Sequence, residues 1–206
     1  MGQAGRGALT RIGLTGGIGS GATQAAKRLE AKGIAIVSGD EAGHSALTFP
    51  EVQNSLRERF GLGIFTEQGE IDRPTLGEIV FADVAARKEL NRIVHPVLLD
   101  ILTNEVRHLE QQSGVVVVDA ALIYEWGLSG FFHRIIVVEA PLEVRLLRTM
   151  ARDRLSEEQA RRRLAAQWPL EKKIERADFV IHNGGTLEEL YWQVDQVWMA
   201  MEREAT

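Results

Sequence analysis

Leu14-Thr15-Gly16-Gly17-Ile18-Gly19-Ser20-Gly21-Ala22-Thr23 is the stretch that decides how the rest of the chain is read. It follows a short apolar lead-in, Arg11-Ile12-Gly13, and runs into Gln24-Ala25-Ala26-Lys27-Arg28-Leu29, which has a helical pattern. Strand, glycine-rich turn and helix form the setting of a phosphate-binding loop. Glycines let successive backbone N–H groups turn inward, and the helix N-terminus adds the positive end of its dipole. Gly16 and Gly21, followed by position 22 and Thr23, fit the spacing G-x-x-x-x-G-K-[ST]. Position 22 breaks it, because Ala22 stands where the pattern has lysine. A plain tight turn would also be glycine-rich, but small residues at all the required offsets favour a phosphate cradle. Its backbone donors do not depend on the lysine, and Thr23 can still offer a hydroxyl to Mg2+. What is missing is a cation on the β- and γ-phosphates of a nucleotide. Lys27 lies one helical turn on and faces away from the loop, and no local substitute is visible in the sequence. The expectation is weak nucleotide binding that a γ-phosphate hardly improves, slow transfer, and partial rescue by Ala22→Lys.

The composition narrows the remaining classes. At 206 residues there is room for one sizeable core, with a smaller appended lobe. A formal charge of −5 argues against a nucleic-acid binder working by general basicity. No apolar run reaches the length of a membrane span, and no signal peptide is recognisable. The absence of cysteine excludes disulfides, cysteine metal sites and a cysteine nucleophile, and is consistent with a cytoplasmic location.

Further along, Ala25 to Lys32 reads as a helix closed by Gly33, and Ile34-Ala35-Ile36-Val37 as a second buried strand. Ser38-Gly39-Asp40 falls at its carboxyl end, where open parallel sheets place ligands. From His44 to about Gln112 the pattern changes to helices with polar turns, Val52 to Phe60 being amphipathic. Thr75 and Glu78 are spaced as a capping box, as are Ser156 and Gln159, and Thr186 and Glu189. Val115 to Val118, Arg134 to Val138 and Phe179 to Ile181 read as three more strands. The segment from Leu142 to Lys173 is rich in arginine. The final helix presents Leu187, Leu190, Tyr191, Val194, Val197 and Trp198 as a core stripe. Strands alternating with helices imply an α/β fold, a parallel sheet covered by helices.

With these motifs in order, the chain resembles the dephospho-coenzyme A kinase family from about Arg11 to Trp198. The likeness rests on the glycine loop, on Asp72-Arg73, Phe81, Leu90-Asn91 and Val94-His95-Pro96, and on Leu122-Ile123-Tyr124-Glu125. Arg148, Arg152, Gln167, Lys172, Ala177-Asp178 and Asn183 carry it through the last third. Three positions depart from what the resemblance implies: Ala22 for lysine, Ser38 for the first Asp of an Asp-x-Asp pair, and Ala121 for proline.

The resemblance implies a P-loop hydrolase-like sheet, an inserted helical substrate lobe and an arginine-bearing lid. One kinase-like domain spans 1–206, with a core of about 10–43, 113–140 and 176–206, a lobe of about 44–112 and a lid of about 141–175. It implies ATP and Mg2+, and dephospho-CoA or CoA as ligand, with no nucleic acid or membrane partner. Gly16, Gly17, Ile18, Gly19, Ser20, Gly21, Ala22 and Thr23 would hold the ATP phosphates together with Arg152, and Thr23 the Mg2+. Asp40 would be the general base and Arg148 a catalytic lid residue. Asp72, Arg73 and His95 would lie on the substrate side and Asn183 on the adenine side. A lone histidine such as His95 is more often a structural hydrogen-bonder, and Arg161 and Arg163 read better as a solvated helix face. The leading expectation is a dephospho-CoA kinase impaired by Ala22. The alternatives are a silent nucleotide- or CoA-binding relative acting through a partner, and a small nucleoside or metabolite kinase.

Overall fold

A computed structural model describes residues 10–205. The chain opens on β1 (Arg11–Gly16), α1 (Ala22–Glu30) and β2 (Ala35–Ser38). Helices α2 (Gly39–Ala46), α3 (Pro50–Phe60), α4 (Arg73–Ala82) and α5 (Val84–Ser113) follow. Then come β3 (Val116–Asp119), β4 (Arg134–Glu139), α6 (Leu142–Asp153), α7 (Glu157–Ala165) and α8 (Leu170–Ile174). The order ends with β5 (Phe179–His182) and α9 (Leu187–Ala205).

The strands form one sheet in the order β2-β3-β1-β4-β5. β1 pairs in parallel with β3 on one side and β4 on the other, and β4 pairs in parallel with β5. Parallel strands need crossover connections, and the helices supply them while covering the sheet. That cover explains why β3 is a run of β-branched residues: Val116, Val117 and Val118 are all fully buried. Ala25, Ala26 and Leu29 of α1 share a core cluster with Leu190, Val194, Trp198 and Met201 of α9, and with Ile12, Leu14, Ile136 and Ile181 of the sheet. Each large aliphatic side chain fully buried there contributes about 1.5–3 kcal/mol. The core therefore fixes β1 and α1, and with them the two ends of the glycine loop.

The chain divides into two compact units, one made of the chain up to Val37 and from Val106 onward, the other of Ser38–Glu105. The second has its own buried side chains, among them Val52, Leu56, Ile64, Leu76, Val80, Leu98 and Leu102.

Three local readings are corrected. The cap of α4 is Asp72 and not Thr75: the Asp72 carboxylate accepts from the Thr75 N–H at 3.3 Å and from its hydroxyl at 2.6 Å. Pro74 in the first turn needs no donor, so the helix starts ahead of Thr75 rather than at it. Leu187 is half exposed, and burial along α9 begins one turn later, at Leu190. Finally, α1 starts at Ala22 rather than Ala25, because Gly21 turns the chain into the helix from a left-handed conformation. The capping boxes Ser156–Gln159 and Thr186–Glu189 form as read, each with its reciprocal pair of hydrogen bonds.

Candidate active site: a glycine loop under a basic helix

β1 delivers the loop from the middle of the sheet, at the carboxyl end where open parallel sheets bind ligands. Inside the loop the Ser20 N–H donates to Gly17 O at 2.9 Å, and the Ile18 N–H to the side-chain oxygen of Gln167 at 2.8 Å. Gly21, at φ 97°, caps α1, and its carbonyl takes the N–H groups of Gln24 and Ala25. The N–H groups of Gly19, Gly21, Ala22 and Thr23 have no protein acceptor among the described residues. They are free donors at a helix N-terminus, which is what an anion requires. Thr23 itself is exposed. Ala22 is half-buried and packs against the core cluster.

α6 lies directly against the loop. Its buried residues are Arg145, Leu146 and Thr149. Arg145 Nε donates to Ile18 O at 3.1 Å, and the guanidinium occupies the space a side chain at position 17 would need: a Cβ built on Gly17 would fall against Nη2 and Cζ. Burial pushes the Arg145 pKa down, opposed at a distance by Glu171 and Glu139. Arg148 Nη1 donates to Gly19 O at 3.4 Å and to Asn183 O at 3.2 Å. Asn183, expected on the adenine side, is buried at the end of β5, and its Nδ2 donates to Ser20 O at 2.7 Å. Arg152 is exposed and binds the neighbouring Asp153 at 2.7 and 3.0 Å.

A third cation reaches the loop from α8. Lys173, fully buried, donates to Ala121 O at 2.6 Å and Gly16 O at 3.5 Å, and pairs with Glu125 at 2.8 Å. Desolvation lowers its pKa, and Glu125 opposes that shift. Glu125 also accepts the Trp168 N–H at 2.8 Å, so one carboxylate ties α8 and the segment before it to the chain after β3.

Sequence reasoning missed Arg145 and Lys173. A signal existed for the first: Arg145 falls on the same face of α6 as Leu146 and Thr149, an arginine where a core residue belongs. Lys173 is likewise one turn from the buried Leu170, whereas Lys172, which carried the family likeness, is exposed.

In the second unit, Asp40 is exposed on the first turn of α2, whose N-cap is Ser38: the Ser38 hydroxyl accepts the Glu41 N–H at 3.2 Å. Ser38 thus has a structural use as the cap of this helix. The Asp72 carboxylate is engaged as a cap, and Arg73 beside it is exposed. His95 is half-buried on α5, and desolvation holds its pKa below the ordinary histidine value. Among the described residues no cluster of histidines and carboxylates is arranged to hold a metal by itself. Mg2+ fits here only in its common manner, with one or two protein oxygens and the phosphates of a nucleotide completing the shell. The Thr23 hydroxyl is the oxygen at the right place in the motif.

Unused N–H donors at a strand-to-helix turn, with basic side chains gathered on the same loop, suit the polyphosphate of a nucleotide, and they place the chain among the P-loop α/β kinases. A family model described as dephospho-CoA kinase matches residues 10–189. The dephospho-CoA kinase of Geobacillus kaustophilus is 39% identical over 197 residues, 93% of this chain and 98% of that one. The dephospho-CoA kinase of Geobacter sulfurreducens is 40% identical over 190 residues, 91% and 96% of the two chains. Among solved structures, TT1252 from Thermus thermophilus is 34% identical with a TM-score of 0.79, covering 97% of this chain and 99% of that one. A shikimate kinase from Acinetobacter baumannii, 16% identical with a TM-score of 0.51 over 93% and 94% of the chains, shares the fold alone. The chain belongs to the dephospho-CoA kinase family, a family of ATP-dependent kinases.

Proposed function

We propose that this chain transfers the γ-phosphoryl group of ATP to the ribose 3′-hydroxyl of dephospho-CoA, completing coenzyme A in the cytoplasm. The observation that carries the reading is the glycine loop with its free N–H donors, in a chain that matches dephospho-CoA kinases over nearly its whole length. In the step, the 3′-oxygen forms a bond to Pγ while the bond from Pγ to the bridging β-oxygen breaks. ADP leaves with that electron pair, and the proton of the hydroxyl goes to Asp40 as general base. The loop donors orient the phosphates, and such positioning with electrostatic stabilisation is most of what phosphoryl-transfer enzymes supply. Thr23 would hold a Mg2+ whose chemistry is to neutralise charge on the β- and γ-oxygens. We assign Arg148 and Arg152 to the phosphates, Asn183 to the adenine side, and Asp72, Arg73 and His95 to the substrate side.

Ala22 favours a second reading, a silent relative that binds nucleotide or CoA. Ligand specificity separates both from a general nucleoside kinase. Dephospho-CoA and CoA raise the melting temperature by mass action, and adenosine at equal concentration raises it less. Equal shifts from all of them would contradict a retained coenzyme site.

A further inference from the structure

The cations on the glycine loop differ in how they are engaged. Lys173 is neutralised by Glu125 and surrounded by carbonyls. Arg148 is given to two backbone carbonyls. Along the rest of this segment Arg152, Arg161, Arg162 and Arg163 are paired with Asp153, Glu157, Glu158 and again Asp153. Arg145 alone of the three on the loop is both buried, at 8% exposure, and without a carboxylate in ion-pair range among the described residues. Its Nε holds Ile18 O, which fixes the plane of the guanidinium. Its two Nη groups, lying against Gly17, make no hydrogen bond to the described residues.

A guanidinium cannot relieve its burial by giving up its proton. Burying it with four N–H donors unmatched is expensive unless something anionic arrives. The fork geometry suits two phosphate oxygens at once, and the surface it lies on is the loop whose free N–H groups call for a polyphosphate. Glycine at position 17 is what admits it there.

We propose that Arg145 supplies, from α6, the positive charge on the nucleotide phosphates that the loop lacks at Ala22. The inference rests on the kinase reading above and deepens it by naming a catalytic residue. It reverses the expectation from sequence alone. The parent protein prefers ATP to ADP, and adding lysine at position 22 gains it little.

The test crosses Arg145→Gln with Ala22→Lys, and measures ATP and ADP affinities by calorimetry with Mg2+ and the rate of dephospho-CoA-dependent ADP release. A melting curve for each variant checks folding. Arg145→Gln is expected to remove the preference for ATP and to lower turnover roughly 10²–10³-fold, as loss of one transition-state donor does. Arg145→Lys keeps part of both. Ala22→Lys is expected to change the parent less than about tenfold but to restore most of what Arg145→Gln loses. A merely structural brace at Arg145 would not be rescued by a charge at position 22. Equal gains from lysine in both backgrounds, or an unchanged ATP preference in Arg145→Gln, would overturn the proposal. Should Arg145→Gln fail to fold, Ala22→Lys in the parent still decides: a hundredfold gain would mean that Arg145 does not supply the charge. If no variant binds either nucleotide, the kinase reading itself falls. If nucleotides bind with the same preference throughout, only Arg145 is wrongly assigned.

Discussion

At the scale of single residues, two glycines show what the loop demands of the chain. Gly17 leaves room for a guanidinium, and Gly21 turns the backbone at φ 97° while the Asn183 amide lies where its Cβ would be. Gly21→Ala meets both the left-handed strain and that contact, so it should destabilise the fold by about 1–3 kcal/mol and weaken nucleotide binding. Melting and calorimetry check this, and a variant as stable as the parent would show that Asn183 is not a fixed brace. The glycines were legible because their spacing is local and their chemistry belongs to the backbone. Arg145 and Lys173 were not, because what matters is where long side chains end after α6 and α8 dock. Local sequence shows only that a charge sits on an apolar face. Asp40 was singled out by the family resemblance at its place after β2, and locally it is an exposed carboxylate on a helix turn, a feature that carries no signal of its own.

At the scale of elements, short-range signals were read well where no stronger neighbour competed. Ser156 and Thr186 cap their helices as their spacing requires, but Asp72, three residues ahead of Thr75, takes the cap of α4 and displaces the box read there. The docking of α9 on α1 offers a test through pH. Asp195 takes a two-pronged hydrogen bond from Arg28 at 3.0 and 2.6 Å and an ion pair from Lys32 at 3.0 Å. The Arg28 bond above all, with Lys32 adding to it, lowers the Asp195 pKa to about 2 against the opposing effect of burial. A carboxyl with a depressed folded pKa stabilises the fold fully above its unfolded value, about 3.9. That stability is lost as pH falls through the folded value. Asp195→Asn should therefore lower the melting temperature at pH 7 by a few degrees, about 1 kcal/mol for a partly exposed pair. The gap to the parent should close between about pH 4 and pH 2. A gap that persists at pH 2 would mean that packing, not charge, holds the two helices.

At the scale of the whole molecule, the alternation of strands and helices was enough to give the parallel sheet. The central place of β1 in the order β2-β3-β1-β4-β5 was not predictable from periodicity, because neighbours in a sheet are chosen by crossovers that leave no local mark. That central place puts the loop at the sheet's carboxyl end, and α6 brings to it a buried arginine from a distant part of the sequence. A chain judged from its loop alone looks deprived of a cation, whereas the folded chain has one beside the loop. On the proposed function, this arrangement still transfers phosphate. Its most direct test is ADP release by the parent protein with Mg2+ and ATP, in the presence and absence of dephospho-CoA, with the product analysed for a new 3′-phosphate. Release is expected to depend on dephospho-CoA and to equal the 3′-phosphorylated product mole for mole. Binding of both ligands with no phosphorylated product would contradict it and leave a binding protein in the frame of a kinase.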